Sequence, residues 1–198
     1  MKFNPEELSP KNMYKLLTGS VVPRPIAWVS TISEDGILNL APFSFFTVAS
    51  RQPPTLCISI GPGVEEREGT VKDTLVNIRS TNEFVINVVS TDLGNQMQKS
   101  AENVQSEIDE FEIAGLTPID SDLIRPKRVK EAPIQMECML ERVIQVGTDH
   151  LVLGRVVNYH IKDEFYLGNY KVNLEKLRPL GRLAGNYSEC MEFFHLPR

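Results

Sequence analysis

Residues 134–146 read IQMECMLERVIQV, and apolar and polar side chains alternate along them. A period of two residues predicts a β-strand with one face toward the core and the other toward solvent. The apolar face would hold Ile134, Met136, Cys138, Leu140, Ile144 and Val146. The solvated face would hold Gln135, Glu137, Glu141 and Gln145. Residues 147–149 then turn the chain into HLVLGRVVNYHI (150–161), so we predict an antiparallel hairpin.

Further strand patterns precede this hairpin. The segment PIAWVSTIS (25–33) leads through Glu34, Asp35 and Gly36 into a second extended stretch, which predicts another hairpin. TLCISI (55–60) and EFVINVV (83–89) are also rich in β-branched and aromatic residues. We expect Pro42 to interrupt the strand around it, because proline cannot donate to a ladder.

Helical patterns are short. Ser9 and Pro10 begin an amphipathic segment that ends at Gly19. Apolar residues recur at helical spacing between Thr70 and Ser80, and Thr70 with Asp73 fits a capping box. Residues 90–101 and 173–177 predict two further short helices, whereas 102–133 are typical of loops. Regular βαβ alternation is missing, so we predict one mainly β domain over residues 1–198, an antiparallel barrel with helical decorations.

Composition and charge argue against a nucleic-acid-binding, disulfide-linked or membrane-spanning protein. The 198 residues carry a net charge of −5, whereas nucleic-acid-binding domains usually present a basic face. Cys57, Cys138 and Cys190 are odd in number and widely spaced, which favours free thiols in a reducing compartment. No signal peptide or apolar window of membrane-spanning length is evident. We therefore expect a cytoplasmic protein that binds neither nucleic acid nor a membrane.

Common catalytic motifs are absent from the sequence. It contains no G-x-G-x-x-G after a strand, no P-loop, no H-E-x-x-H and no G-x-S-x-G. The three histidines are scattered, and His160 on an alternating strand is best interpreted as a half-buried polar side chain. We predict neither a metal site nor a catalytic side chain.

The helix that starts near Thr70 is a candidate anion site. Backbone N–H groups and the positive dipole end at a helix N-terminus suit a phosphate. Lys72 would add a charge and Thr74 a hydroxyl, and an anion accepts from both. On these residues alone, an ordinary capped helix with a solvated lysine is the simpler interpretation.

A second candidate is NLAPFSFF (39–46), in which three aromatic residues lie among small and amide-bearing ones. This segment could line a flat apolar slot whose polar groups orient an aromatic ligand. The alternative is a core strand. Adjacent strand residues point to opposite faces, so we expect Phe45 or Phe46 to pack inward.

Four segments together resemble a known family. In chain order they are RPIAWVST (24–31), NLAPFSFF (39–46), KDTLVNI (72–78) and RLAGNY (182–187). They are similar to the flavin reductase-like FMN-binding split β-barrel proteins, especially the flavoredoxin-like branch. The resemblance implies a Greek-key split β-barrel, a homodimer and FMN held without a covalent bond. It also implies an NAD(P)H-dependent oxidoreductase that takes a hydride from NADH or NADPH and passes the electrons to flavin or to another small-molecule or protein acceptor.

The same resemblance assigns residues to the cofactor. It implies that the isoalloxazine and ribityl of FMN meet Thr31 and the stretch Asn39, Leu40, Ala41, Pro42, Phe43 and Ser44. Lys72, Asp73 and Thr74 match the segment beside the phosphate, which favours the anion site over the plain helix cap. Arg182 and Tyr187 match a C-terminal motif near the site or the dimer contact, although Ala184 stands where that motif often has glycine. The flavin N5 carries the chemistry, so no catalytic side chain is implied.

Three alternatives stay open. The chain could be an FMN-holding electron carrier that a partner protein reduces, or an enzyme similar to pyridoxamine-phosphate oxidases. The third is an interaction barrel that uses the basic loop at Arg125, Lys127, Arg128 and Lys130, but the acidic total opposes attraction to a nucleic acid. This loop could instead meet the extra phosphate of NADPH.

Overall fold

Strands dominate the computed structural model, which describes residues 1–63, 69–190 and 192–196. The strands are β1 (Ala27–Ile32), β2 (Leu38–Phe43), β3 (Phe46–Arg51), β4 (Pro54–Ile60), β5 (Glu83–Val88), β6 (Pro118–Ile119), β7 (Arg128–Val129), β8 (Ile134–Val146), β9 (Asp149–Ile161), β10 (Leu180–Arg182) and β11 (Tyr187–Glu189). The helices are α1 (Pro10–Ser20), α2 (Asp73–Thr81), α3 (Gly94–Lys99), α4 (Glu110–Ala114) and α5 (Leu174–Leu177). None of the helices in these ranges is long and apolar enough to cross a bilayer.

Seven strands form one antiparallel sheet in the order β2-β1-β5-β8-β9-β4-β3. The predicted hairpin of β8 and β9 lies within this sheet and is paired along its length. The two edge strands, β2 and β3, follow each other in the chain with only Ser44 and Phe45 between them. Because two residues join the two edges, the sheet must curl round on itself. The mainly β, antiparallel prediction is confirmed.

The prediction of a solvated face along all of β8 is wrong. Gln135 and Glu137 are buried, whereas Glu141 and Gln145 are exposed. Gln135 donates two hydrogen bonds to carbonyl groups within 129–132, so this segment covers the first half of the strand. Alternation along a strand cannot reveal that the preceding loop folds back over its polar face.

Two apolar clusters lie on opposite faces of β1. Ala27 and Val29 belong to a cluster with Leu75 and Ile78 of α2, which we call the α2 cluster. Trp28, between them in the chain, belongs to a second cluster with side chains of α3 and α4, which we call the α3–α4 cluster. Alternate strand residues therefore attach different helices to the two faces of the sheet.

A close approach between β5 and β9 requires a glycine. A Cβ atom at Gly154 would lie 2.1 Å from Cζ of Phe84, and the Phe84 ring is fully buried. The ring therefore occupies the space in which a side chain at position 154 would stand.

Several local predictions are corrected and one is confirmed. Pro42 does not interrupt β2 but pairs with Trp28 inside it; β2 is an edge strand, where a missing N–H is tolerated. The helix expected from Thr70 begins at Asp73, and Lys72 is its N-cap residue. The loop-like segment 102–133 also contains α4, whose five residues are too few to show a helical period in the sequence.

The three cysteines are free thiols, as predicted.

Candidate functional site

The two segments expected to hold a flavin lie side by side and line two adjoining cavities. The smaller, of about 140 Å³, is bordered by Asn39, Ala41, Pro42, Lys72, Asp73 and Thr74 among others. The larger, of about 410 Å³, shares Pro42 and Lys72 and adds Phe43 and Ser44. We call these cavities together the β2–α2 pocket. Eight of the eleven predicted cofactor residues therefore line one pocket.

Asn39 is the centre of a hydrogen-bond network at this pocket. Its Oδ1 accepts from the hydroxyls of Thr31 at 3.1 Å and Thr74 at 2.8 Å. Its Nδ2 donates to Oε1 of Glu110 at 2.8 Å, and Asn77 donates to the Thr31 hydroxyl at 3.0 Å. The network joins β1, β2, α2 and α4, and it gives the Asn39 amide a single orientation.

Thr31 and Leu40 lie behind the pocket surface. Both side chains are fully buried, and neither residue lines the two cavities. Leu40 packs in the α3–α4 cluster, while Thr31 orients Asn39 through its hydroxyl. Contact of either side chain with a flavin stays a prediction, and it would require that side chain to become accessible.

Arg182 is not brought to the β2–α2 pocket. Its guanidinium carbon lies 4.4 Å from the centre of the Tyr187 ring, and Nη1 donates to the carbonyl of Gly185 at 3.4 Å. Among the described residues it lines neither cavity. Its assignment to the cofactor stays a prediction, as does the dimer contact.

Sequence reasoning missed Arg24, although this residue opens the first family motif. Its buried guanidinium donates to the carbonyls of Thr18 at 2.6 Å, Val21 at 2.9 Å and Leu183 at 2.7 Å. Nε lies 3.4 Å from Oγ of Ser44. Arg24 therefore holds the end of α1, the RLAGNY segment and the border of the pocket together.

Glu110 was also missed, because it comes from the segment expected to be a loop. It is 7% exposed and lines the smaller cavity. Oε2 accepts from the N–H of Leu40 at 3.1 Å, and Oε1 accepts from Asn39. Burial raises the pKa of this carboxyl to about 7, and the charge of Asp73 adds to the rise, while the hydrogen bonds oppose it. No local motif marks this residue; only the fold brings it to the pocket.

The aromatic residues of the stretch 39–46 take different positions. Phe43 is buried in the α2 cluster and Phe46 packs against it, so the inward packing expected of Phe45 or Phe46 is confirmed at Phe46. Phe45 is 38% exposed, and its ring centre lies 6.3 Å from that of Tyr14. Phe45 and Tyr14 thus give the larger cavity an aromatic wall.

The basic loop lies elsewhere, and Arg125, Lys127 and Arg128 pair with acidic neighbours. Arg125 pairs with Glu83 at 3.1 Å, and Lys127 pairs with Asp120. None of its four basic residues lines the β2–α2 pocket. A contact of this loop with NADPH stays an untested hypothesis.

A cluster of Asp122, Glu137 and His160 was not expected. The side-chain oxygen and nitrogen atoms that could bind a metal lie within 4.8 Å of one another. Nε2 of the half-buried His160 lies 2.6 Å from Oε1 of Glu137. Both oxygens of Glu137 already accept backbone N–H groups, from Asp122 and Leu123, each at 2.8 Å. Burial opposes ionisation of Glu137, but these bonds and His160 outweigh it and lower its pKa. The cluster therefore anchors the backbone of Asp122 and Leu123 beside β8.

Comparison with known proteins decides the family. Residues 18–178 match the flavin reductase like domain. The chain belongs to the flavin reductase-like family. Nitrilotriacetate monooxygenase component B from Bacillus cereus is 38% identical, with a TM-score of 0.94 over 99% of this chain and 98% of its own. The 2-nitrobenzoate 2-nitroreductase of Pseudomonas fluorescens is 30% identical, with a TM-score of 0.88 over 100% and 96%.

The comparison also confirms the fold class. A split-barrel protein from Shewanella frigidimarina is 20% identical and superposes with a TM-score of 0.85 over 100% of this chain and 99% of its own. The sheet is therefore that of a split β-barrel. Membership of this flavin reductase-like family implies a flavin cofactor.

Proposed function

We propose that the protein is an FMN-binding oxidoreductase that takes a hydride from NADH or NADPH and passes electrons to free flavin or another acceptor. One observation carries the proposal: the segments expected at the flavin ring and at the phosphate line a single pocket. Family membership supports the flavin. The pocket supports FMN, because it offers an aromatic wall at one part and a helix start with a lysine at another.

The residues of the pocket fit the two ends of FMN. Lys72 and the N-terminus of α2 offer positive charge and N–H groups to a phosphate. Tyr14, Phe45 and Pro42 offer apolar surface to an aromatic ring. When bound, a flavin supplies hydride acceptance at N5 and release of electrons. The task of the chain is then to hold the ring and orient it through the Asn39 network.

The decisive experiment reconstitutes the purified protein with flavin. FMN should bind and give a yellow protein, and anaerobic NADH or NADPH should bleach it in a stopped-flow measurement. FAD and riboflavin, titrated in parallel, establish the cofactor preference. A protein that binds no flavin would overturn the proposal. FMN that binds but is bleached by neither nicotinamide would favour an electron carrier reduced by a partner protein.

The phosphate contact is tested at Lys72. Lys72→Ala should weaken FMN binding by about tenfold, because one charged hydrogen bond contributes roughly 1.5–3 kcal/mol, and should leave riboflavin binding unchanged. Fluorescence titration measures both ligands. Lys171→Ala, at an exposed lysine outside the pocket, is the matched control. Equal FMN affinity in the Lys72 variant and the control would remove the phosphate site from this position.

The acceptor can be identified in the same preparation. The similarity to a 2-nitrobenzoate 2-nitroreductase makes a nitroaromatic acid a reasonable acceptor to compare with free FMN and FAD. The acceptor that reoxidises the bleached protein fastest under anaerobic conditions is the candidate substrate.

A further inference from the structure

Glu110 determines how Asn39 faces the β2–α2 pocket. The carboxylate accepts from Nδ2 of Asn39 at 2.8 Å, so Oδ1 of the same amide must face the hydroxyls of Thr31 and Thr74, which donate to it. The second carboxylate oxygen accepts the N–H of Leu40 in the same strand. One acidic side chain therefore fixes both the side chain and the backbone of β2 at the pocket.

The charges around Glu110 oppose an anionic ligand. Asp73 of α2 and Glu102 after α3 line the same cavity as Glu110. Lys72 is the one positively charged side chain among the described residues that line it. Strand β2 contributes no titratable side chain, and on the side of α4 itself Asp109 and Glu112 flank Glu110. A phosphate placed beside Lys72 would thus meet three negatively charged carboxylates, and protonation of one of them would reduce the repulsion.

We propose that Glu110 positions Asn39 for the flavin and takes up one proton from solvent when the phosphate of FMN enters the pocket. The proposal rests on the proposed FMN function. In the step, the Glu110 carboxylate becomes a carboxylic acid and no bond of the flavin changes. The acid keeps oxygens that can accept from Asn39 and Leu40, so its positioning role survives protonation.

Glu110 is suited to this role because its pKa already lies at about 7 without ligand. A phosphate dianion nearby adds negative charge and raises that pKa further. Below about pH 7 the proton is present in both states, and binding needs none. Above it, binding must take up a proton, so the dissociation constant of FMN should rise by up to about tenfold per pH unit.

Fluorescence titration of the full-length apoprotein with FMN and riboflavin, from about pH 6 to about pH 9, tests this linkage. The wild-type protein should lose FMN affinity above about pH 7 and show no such loss for riboflavin, which has no phosphate. Glu110→Gln should bind FMN without the loss of affinity above about pH 7, while Glu112→Gln, at an exposed position on the same helix, should behave as the wild type. FMN binding with the same pH dependence in wild type and Glu110→Gln would overturn the Glu110 proposal alone. No FMN binding at any pH would overturn the proposed function with it.

A second variant covers the case in which Glu110→Gln folds poorly, since glutamine can accept only one of the two hydrogen bonds. Burial is the main cause of the raised pKa of Glu110, and the charge of Asp73 adds to it; Asp73→Asn leaves the contacts of Glu110 in place and removes that added contribution. The pH at which FMN affinity starts to fall should therefore move to a lower value than in the wild type. An unchanged starting pH would overturn the proposal.

Discussion

Two buried carboxyl groups, Glu110 and Glu137, face opposite electrostatic surroundings. Burial dominates at Glu110, where an amide and a backbone N–H do not offset it, and the pKa is raised. At Glu137 two backbone N–H groups and His160 outweigh burial, and the pKa is lowered. The same residue type therefore gives opposite contributions to the pH dependence of stability.

For Glu110, we expect the free energy of unfolding to fall as pH rises. The unfolded chain loses the proton near pH 4.5 and the folded chain near pH 7, so stability is fully present below pH 4.5 and is lost as pH rises through about 7. The loss is at most roughly 3–4 kcal/mol, since one pKa unit corresponds to about 1.36 kcal/mol. Urea unfolding at several pH values should show this slope in the wild type and a smaller one in Glu110→Gln. Identical slopes in the wild type and Glu110→Gln would contradict the raised pKa of Glu110.

For Glu137, the sign is reversed. Its lowered pKa gives stability that is present above pH 4.5 and lost as pH falls through the folded-state value. Glu137→Gln should cost about 2–3 kcal/mol, because a buried charged acceptor is lost, and should speed hydrogen exchange at the amides of Asp122 and Leu123. Glu141→Gln, on the exposed half of β8, should change stability by less than about 0.5 kcal/mol. If the amides of Asp122 and Leu123 stay protected from hydrogen exchange in Glu137→Gln, Glu137 does not anchor this segment.

At the scale of elements, prediction from sequence succeeds where the periodicity is local. Alternation over residues 134–146 predicts β8 to both ends, because the period of two is carried by neighbouring residues. It fails where a side chain meets partners outside its own element: residues 129–132 precede β8 and cover Gln135, and Glu110 of α4 bonds to Asn39, which lies 71 positions away. The family motifs identified the segments at the pocket but not which side chains face it.

The contact between β5 and β9 makes a further prediction. Gly154→Ala should destabilise the protein by about 3 kcal/mol or more, because its Cβ would lie 2.1 Å from the buried Phe84 ring. Gly185→Ala, where a Cβ meets nothing within 4 Å, is the control. Thermal unfolding measures both. Phe84→Leu should partly rescue Gly154→Ala in a double-mutant cycle, and additive losses would show that the clash is relieved elsewhere.

At the scale of the whole molecule, apolar side chains remain exposed beside the pocket. Leu17, Val21 and Phe45 are 50%, 62% and 38% exposed and line a cavity of about 460 Å³ that also reaches Ser44. A contiguous apolar surface of this kind is typical of an interaction site. Together with the homodimer that the family resemblance implies, it favours a contact between two copies here. A single sequence could not indicate this, because the surface forms only when α1 meets the β2–β3 connection.

We therefore expect a dimer in solution that Val21→Asp converts to a monomer, because burying a charged carboxylate at the contact costs desolvation. Light scattering after size exclusion measures the mass. Val146→Asp, at an exposed valine at the end of β8, should leave the dimer intact. A monomeric wild type, or a dimer that survives Val21→Asp, would place any contact elsewhere.

The pairing of β4 with β9 has a consequence for the nascent chain. Thr55 pairs with Arg155, so one edge of β4 has no partner until about 100 further residues have been made. At a synthesis rate of about 5–20 residues per second, that interval is on the order of 5–20 s. During it the apolar strand TLCISI presents an open edge, and such edges favour aggregation. Slower translation or a lower supply of chaperones should then lower the yield of folded protein.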